Sequence, residues 1–261
     1  MTGKGQRGGI KPTGAGRSVL WRGGSIWIGN AGEATDFHAH HAIQITLALS
    51  GGDVRFRRPG EQWNAYKAGI ISAHQSHAFE ARGELVALIF AEPESRDGRA
   101  IQERYSTGVA LLPAGTYEHE SAALAGAFNN GAADAELITH ACAVISRLSS
   151  AQALPAKPLD KRIERAIAVL RERLGETVTM AEIADAIHLS PERFRHLFLK
   201  ETGIRFRPYV LWLRLELAVG SYAARSSLTD ASYAGGFADS AHFSRTFKRM
   251  FGVAAISVQR E

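Results

Sequence analysis

Hydrophobic positions along this chain change their period near its middle. Up to about Glu92 the apolar segments are short and strand-like. They are Ser25–Ile28, Ile43–Leu49, Val54–Arg57, Gly69–Ser72 and Leu85–Phe90, parted by Gly-Gly, Pro-Gly or charged turns. Short strands at close spacing predict a β-sandwich or barrel. From about Ser121 the spacing turns helical, and Leu137, Ile138, Ala141, Val144, Ile145 and Leu148 share one face. Ser149–Pro158 carries two prolines and several small residues and reads as an interdomain linker. The 18 residues before Val19 are rich in Gly and Lys/Arg and nearly devoid of large apolar side chains. Such a segment cannot offset its own ordering entropy, so a disordered tail is expected. The division that follows is a tail at 1–18, a β-rich domain at 19–150, a linker at 151–158 and an all-α domain at 159–261.

The helical half carries its own start and stop signals. Ile163, Ile167, Leu170 and Leu174 make one amphipathic face that Gly175 ends. Thr179 with Glu182 is a capping box. Ser190 is an N-cap followed by Pro191 at the first helical position, and Gly203 suits the residue after that helix. Tyr209–Tyr222 reads as a long connecting helix with Pro208 near its start. Asp239 caps a last helix and Gly252 closes it.

Within this half a helix-turn-helix pattern occurs twice, at Thr179–Gly203 and at Ala231–Gly252. Ile183-Ala184 lies 48 residues before Ala231-Ser232, and Phe194-Arg195-His196 lies 49 before Phe243-Ser244-Arg245. One extra residue in the second turn accounts for the shift. Small residues in each first helix, with Leu189 or Phe237 in the turn, allow two helices to pack closely. Phe194, Leu197 and Phe198 then face the core in the first unit, and Phe243, Phe247 and Phe251 in the second. Glu192, Arg193, Arg195, His196 and Lys200 remain exposed in one unit. Ser240, Ala241, Ser244, Arg245, Lys248 and Arg249 remain exposed in the other. Arginine makes bidentate bonds to guanine, and a small apolar side chain meets a thymine methyl. Two units in one chain present two helices to adjacent stretches of groove without a dimer.

Charge sharpens this picture. Residues 1–156 hold 14 Lys+Arg and 14 Asp+Glu, whereas 157–261 hold 17 and 12. The whole formal charge of +5 thus sits on the half with the repeated units, where Lys and Arg gain by releasing counterions from phosphates. No apolar run approaches the roughly 20 residues that span a bilayer, so no membrane partner is expected. The charged N-terminus has no apolar stretch behind it and does not read as a signal peptide. Cys142 is the single cysteine, which suits a reducing cytoplasm, and its helical setting suits buried packing.

Residues from about 160 to 261 resemble the DNA-binding domain of the AraC/XylS family of bacterial transcription regulators. Gly236–Gly252 is the most specific part, supported by the connecting stretch Pro208–Ala218. Two positions depart from the family pattern. Ala231-Ser232 replaces a larger aliphatic residue followed by Ala, and Ala254-Ala255 stands where a Pro often follows the final Gly-Val. Neither touches the reading face. The resemblance implies a cytoplasmic, sequence-specific regulator with double-stranded DNA and RNA polymerase as partners, and it implies no enzyme. The apolar stripe through Leu137, Ile138, Ala141, Val144, Ile145 and Leu148 must be covered either by the chain's own barrel or by a second subunit; the resemblance favours the second subunit and so implies a homodimer.

The first half resembles, less closely, the cupin-like domain through which many such regulators take effectors. His38-Ala-His40-His41-Ala-Ile-Gln44, then Gly51, Gly69 and His77, carry that likeness. The expected fold class is therefore α+β, a cupin-like barrel with flanking helices ahead of an all-α domain. Strand alternation would put His38 and His40 on one face. Cupin enzymes add a carboxylate to such histidines, but Gln44 stands in its place, and a neutral amide is a poor ligand for a divalent cation. Three readings stay open: a pocket lining for a small effector, a metal site, or ordinary core and surface residues. The first is preferred, with His38, His40, Gln44 and His77 as effector-binding residues, no cofactor and no tightly held metal. The rival is a metal-dependent cupin enzyme with a helical appendage.

Overall fold

The protein is described here by a computed structural model covering residues 16–106, 108–113, 115–150 and 157–258. The predicted tail at 1–15 and most of the predicted linker, 151–156, lie outside the described residues.

Nine strands precede the linker among the described residues: β1 (Gly16–Trp21), β2 (Gly24–Asn30), β3 (Ile43–Ala48), β4 (Val54–Arg57), β5 (Asn64–Tyr66), β6 (Ala68–Ile71), β7 (Ala78–Glu80), β8 (Leu85–Ala91) and β9 (Val109–Leu111). Three helices join them: α1 (Arg96–Arg104), α2 (Glu118–Asn129) and α3 (Asp134–Ser150). One antiparallel sheet runs β1-β2-β8-β3-β6-β9, and a second runs β5-β4-β7. The large sheet is buried on both faces. Ile26, Ile28, Ile45, Leu47 and Ile89 pack against α2 and α3, while Ile71 and Val86 pack against Val54, Phe56 and Phe79 of the small sheet. This explains why β3 and β8 read as nearly continuous apolar runs rather than alternating ones.

Three expectations need correction. Gly16, Arg17 and Ser18 do not belong to a disordered tail but open β1, paired along its length with β2. Their polarity misleads because Arg17 reaches Asp134 and the Ala132 carbonyl, and Gly16 lies under the Trp27 indole, where a Cβ would come within 2.6 Å. The β domain, second, consists of two separate ladders and is not the closed cupin-like barrel expected. Strands β5 and β7 are only three residues each, too short to carry a ladder around a barrel. Third, the α3 stripe is not left for a second copy. Leu137, Ala141 and Val144 are fully buried, and Ile145 and Leu148 nearly so, in the chain's own core.

The rest is helical: α4 (Lys161–Glu172), α5 (Met180–Ala186), α6 (Pro191–Thr202), α7 (Phe206–Ala223), α8 (Leu228–Ala234) and α9 (Ser240–Phe251), with a short 3-10 turn at Ala255–Val258. The capping signals fall where the sequence put them. Thr179 and Glu182 form the full capping box, and Ser190 and Asp239 cap α6 and α9. Among the described residues no helix is long and apolar enough to cross a membrane.

Candidate nucleic-acid interface and interdomain cavity

The two helix-turn-helix units, α5-α6 and α8-α9, are built alike. In the first turn His188 adopts φ 56° and Leu189 N–H donates to the Ala184 carbonyl; in the second, Gly236 adopts φ 68° and Phe237 N–H donates to the Ser232 carbonyl. These pairs are 48 residues apart, whereas Gly203 and Gly252, both at φ 71°, close their helices 49 apart. The extra residue is therefore Ala238, between Phe237 and the Asp239 cap. Fully buried Phe194 and Phe198 anchor α6, and buried Phe243 and Phe247 anchor α9. Leu197 is only partly buried, and Phe251, also partly buried, packs on Phe247 of its own helix at 4.7 Å and reaches Phe90 and His40 of the β domain.

On α6, Glu192, Arg193, Arg195, His196 and Lys200 are all exposed. Glu192 is shared by Arg195 at 3.0 Å and His196 at 3.4 Å, and hydrogen bonds from Arg195 first and His196 second hold its carboxyl below the usual range. On α9, Ala241, Arg245, Lys248 and Arg249 are exposed and Ser240 and Ser244 half-buried. Lys248 does not point freely outward; its ammonium lies 3.2 Å from Asp36 of the β domain.

A cavity of about 120 Å³ opens where the two domains meet. Apolar side chains from both form its wall, including Leu20, Ile26, Leu88 and Phe90 from the sheet and Val219, Phe247, Phe251 and Val253 from the helical domain. His38, Gln44 and Glu33 supply polar groups, and among the described residues no Lys or Arg lines it. His38, His40 and His77 come together with one ring nitrogen each within 4.8 Å of the others. Strand alternation does not do this, since His38 forms only an isolated bridge with His77 and His40 sits in the loop before β3. Gln44 is on β3, and its amide lies 2.9 Å from both His40 Nε2 and the Thr46 hydroxyl. Burial lowers all three histidine pKa values, that of His40 to about 3, so the rings are neutral.

Sequence reasoning missed a second interdomain group. His41 Nε2 meets Glu94 at 2.6 Å, its Nδ1 faces His74 at 3.1 Å, and Tyr209 of α7 stacks edge-on at 5.2 Å. Beside it Arg171 of α4 binds Glu92 and lies 3.9 Å from Glu216 of α7. Burial pushes the Glu216 carboxyl up to about 8, helped by the Glu92 charge and opposed by Arg171. The one signal in the sequence was acidic residues directly after the apolar β8 run. Cys142 is half-buried on α3, and burial raises its thiol.

Comparison with known proteins fits this geometry. A helix-turn-helix domain model matches residues 183–261. An uncharacterized HTH-type transcriptional regulator of Escherichia coli K12, YidL, is 35% identical over 102 residues, covering 39% of this chain and 34% of YidL. The HTH-type transcriptional activator RhaS of Escherichia fergusonii is 34% identical over 96 residues, covering 36% of this chain and 34% of RhaS. The chain spans about a third of the length of these curated relatives. The crystal structure of ToxT from Vibrio cholerae O395 superposes with a TM-score of 0.56 at 13% identity, covering 95% of this chain and 99% of ToxT. A ToxT structure with bound unsaturated fatty acid gives 0.55 at 11% identity, covering 91% and 93%. The molecule thus has a two-domain fold, antiparallel sheets with helices ahead of a tandem helix-turn-helix domain. That helical domain is similar to the helix-turn-helix domains of these transcriptional regulators.

Proposed function

We propose that this protein is a sequence-specific DNA-binding transcription regulator that answers to a small molecule held between its domains. The observation that carries the reading is the pair of matched units, each turning an exposed, cation-bearing helix face outward from a phenylalanine core. Arg245 and Arg195 are the base-reading candidates, with Ala241 and Ser244 beside Arg245. Arg193, Lys200, Lys248 and Arg249 suit phosphates. His196 and Ser240 flank the reading positions, and Glu192 orients Arg195. The partners are double-stranded DNA and RNA polymerase, and the reading assigns no catalytic step.

The interdomain cavity supports a small, mainly apolar effector with one polar end near His38 and Gln44. ToxT, which shares the fold, binds an unsaturated fatty acid. A molecule in this cavity touches both domains and so favours one arrangement of them over another.

The test uses the full chain and DNA selected by it from a random library. Binding to the selected site should fall steeply with salt, as expected when several phosphates are neutralised. Arg245→Ala should cost about 1–3 kcal/mol on that site and far less on random DNA. Absence of any DNA binding at low salt overturns the reading.

A further inference from the structure

We propose that His38, His40 and His77 form a binding site for a divalent transition metal, of the zinc class, directly behind the second DNA-reading helix. This goes beyond the regulator reading and does not depend on it.

Proton placement makes the case. His38 Nδ1 lies 2.8 Å from the Asp36 carbonyl, His40 Nδ1 2.8 Å from the Ala42 carbonyl, and His77 Nδ1 2.9 Å from the Gln75 carbonyl. A carbonyl only accepts, so each Nδ1 carries the proton and donates it. Each Nε2 therefore holds a lone pair. This is the arrangement seen in metal-bound histidines, whose second nitrogen donates to a backbone carbonyl or carboxylate that fixes tautomer and ring orientation. The ring centroids lie 4.2, 5.3 and 5.8 Å apart.

These lone pairs lack adequate partners. His77 is fully buried, and its Nε2 has no hydrogen-bond partner, a costly condition for a polar atom. Gln44 Oε1 faces His40 Nε2 at 2.9 Å while the Gln44 amide nitrogen donates to the Thr46 hydroxyl; with Nδ1 protonated that oxygen opposes a lone pair, and only turning the amide over gives His40 Nε2 a donor. A cation in the middle satisfies both His77 and His38 and releases Gln44.

The donor set selects the class of ion. Three neutral imidazoles without thiolate or carboxylate suit Zn²⁺ or another imidazole-binding metal, and not Ca²⁺ or Mg²⁺. Zn–N bonds of about 2.0–2.1 Å require the three nitrogens to draw closer than their present spread. A fourth position stays open on the side of the cavity that His38 lines.

Placement gives the site a consequence for DNA reading. The Asp36 carbonyl that orients His38 belongs to the residue whose N–H donates to the Gly252 carbonyl at 2.9 Å. A Cβ on Gly252 would come within 2.6 Å of His38 Nδ1. His40 also packs against Phe251, the last residue of α9, with centroids 6.1 Å apart. Drawing the three rings together therefore shifts the surface on which the end of α9 rests.

The test titrates Zn²⁺ into untagged, metal-free full chain by calorimetry, with Co²⁺ as a spectroscopic probe. We expect one equivalent of Zn²⁺ and visible d–d bands of tetrahedral Co²⁺ with nitrogen donors. His38→Gln, His40→Gln and His77→Gln should each weaken binding by about 100-fold or more. His74→Gln, in the neighbouring histidine pair, should leave it unchanged. If a variant fails to fold, the wild-type Co²⁺ spectrum still decides. Octahedral Co²⁺, no stoichiometric Zn²⁺, or affinity lost equally in His74→Gln would overturn the proposal.

Discussion

The two helix-turn-helix units share their fold but differ in what lies behind them. Helix α6 ends at Gly203, where the nearest β-domain atom to an added Cβ would be His74 Nε2 at 3.8 Å. Helix α9 ends at Gly252, where an added Cβ would meet the Asp36 carbonyl at 2.5 Å, His38 Nδ1 at 2.6 Å and Thr35 at 2.9 Å. The end of the first recognition helix meets the first domain through Arg99 of α1, 3.2 Å from the Glu201 carbonyl and 3.6 Å from its carboxylate, while the second is seated on the loop that carries the histidines. The first domain therefore holds both recognition helices, α6 through the polar Arg99–Glu201 pair and α9 through close packing at Gly252.

The largest expected effect tests that asymmetry at the matched glycines. Gly203→Ala places a Cβ in left-handed backbone and should cost about 1 kcal/mol. Gly252→Ala bears the same backbone cost and also drives a methyl group into backbone and ring atoms that cannot yield together. A total of about 3 kcal/mol is expected, read as the difference in denaturant midpoint between the two variants. Equal losses would mean that α9 is no more tightly seated than α6.

A second comparison lies within the interface. The Arg171, Glu92 and Glu216 group is largely buried, and Glu216 keeps its proton up to about pH 8. In the unfolded chain that carboxyl titrates near pH 4.3. Between these values the folded state binds the extra proton, so stability declines as pH rises through this window. Glu216→Gln should flatten that decline and raise Tm at pH 8. About 1 kcal/mol, or 2–4 °C for a chain of this size, is the expected gain. A variant that loses stability at pH 8 would show that the ionised carboxylate serves Arg171 after all.

Legibility in the sequence follows the same division. The helical domain was readable almost to the residue because its signals are local. Thr179, Ser190, Asp239, Gly203 and Gly252 each satisfy a helix end through neighbours within a few positions. The β domain was readable only where strands are long and apolar. Strands β5, β7 and β9, of three residues each, carry no period that a sequence can display. Gly16–Ser18 gain their order from Trp27 and Asp134, distant in the chain. The histidines do lie together, but a loop and a lone bridge, not strand alternation, bring them there. His41, Glu94 and Arg171 went unnoticed because only the docking of the two domains gives them partners.

The smallest expected effect concerns Lys248 and Asp36. Both side chains are more than half exposed, 59% and 69%, so the pair contributes at most about 1 kcal/mol to the interface and less at high salt. Its interest lies in competition, because the ammonium that reaches Asp36 is also placed to meet a DNA phosphate. In Asp36→Asn the folded state should lose little stability, while Lys248 becomes free for DNA. Affinity for DNA of any sequence should rise by roughly 2–5-fold at low salt, with a slightly steeper salt slope. Lys248→Ala should erase that gain in the double variant, since the two substitutions act on one interaction. Unchanged affinity in Asp36→Asn would mean that Lys248 serves the domain interface alone, leaving Arg245 and Arg249 as the cations that α9 offers to DNA.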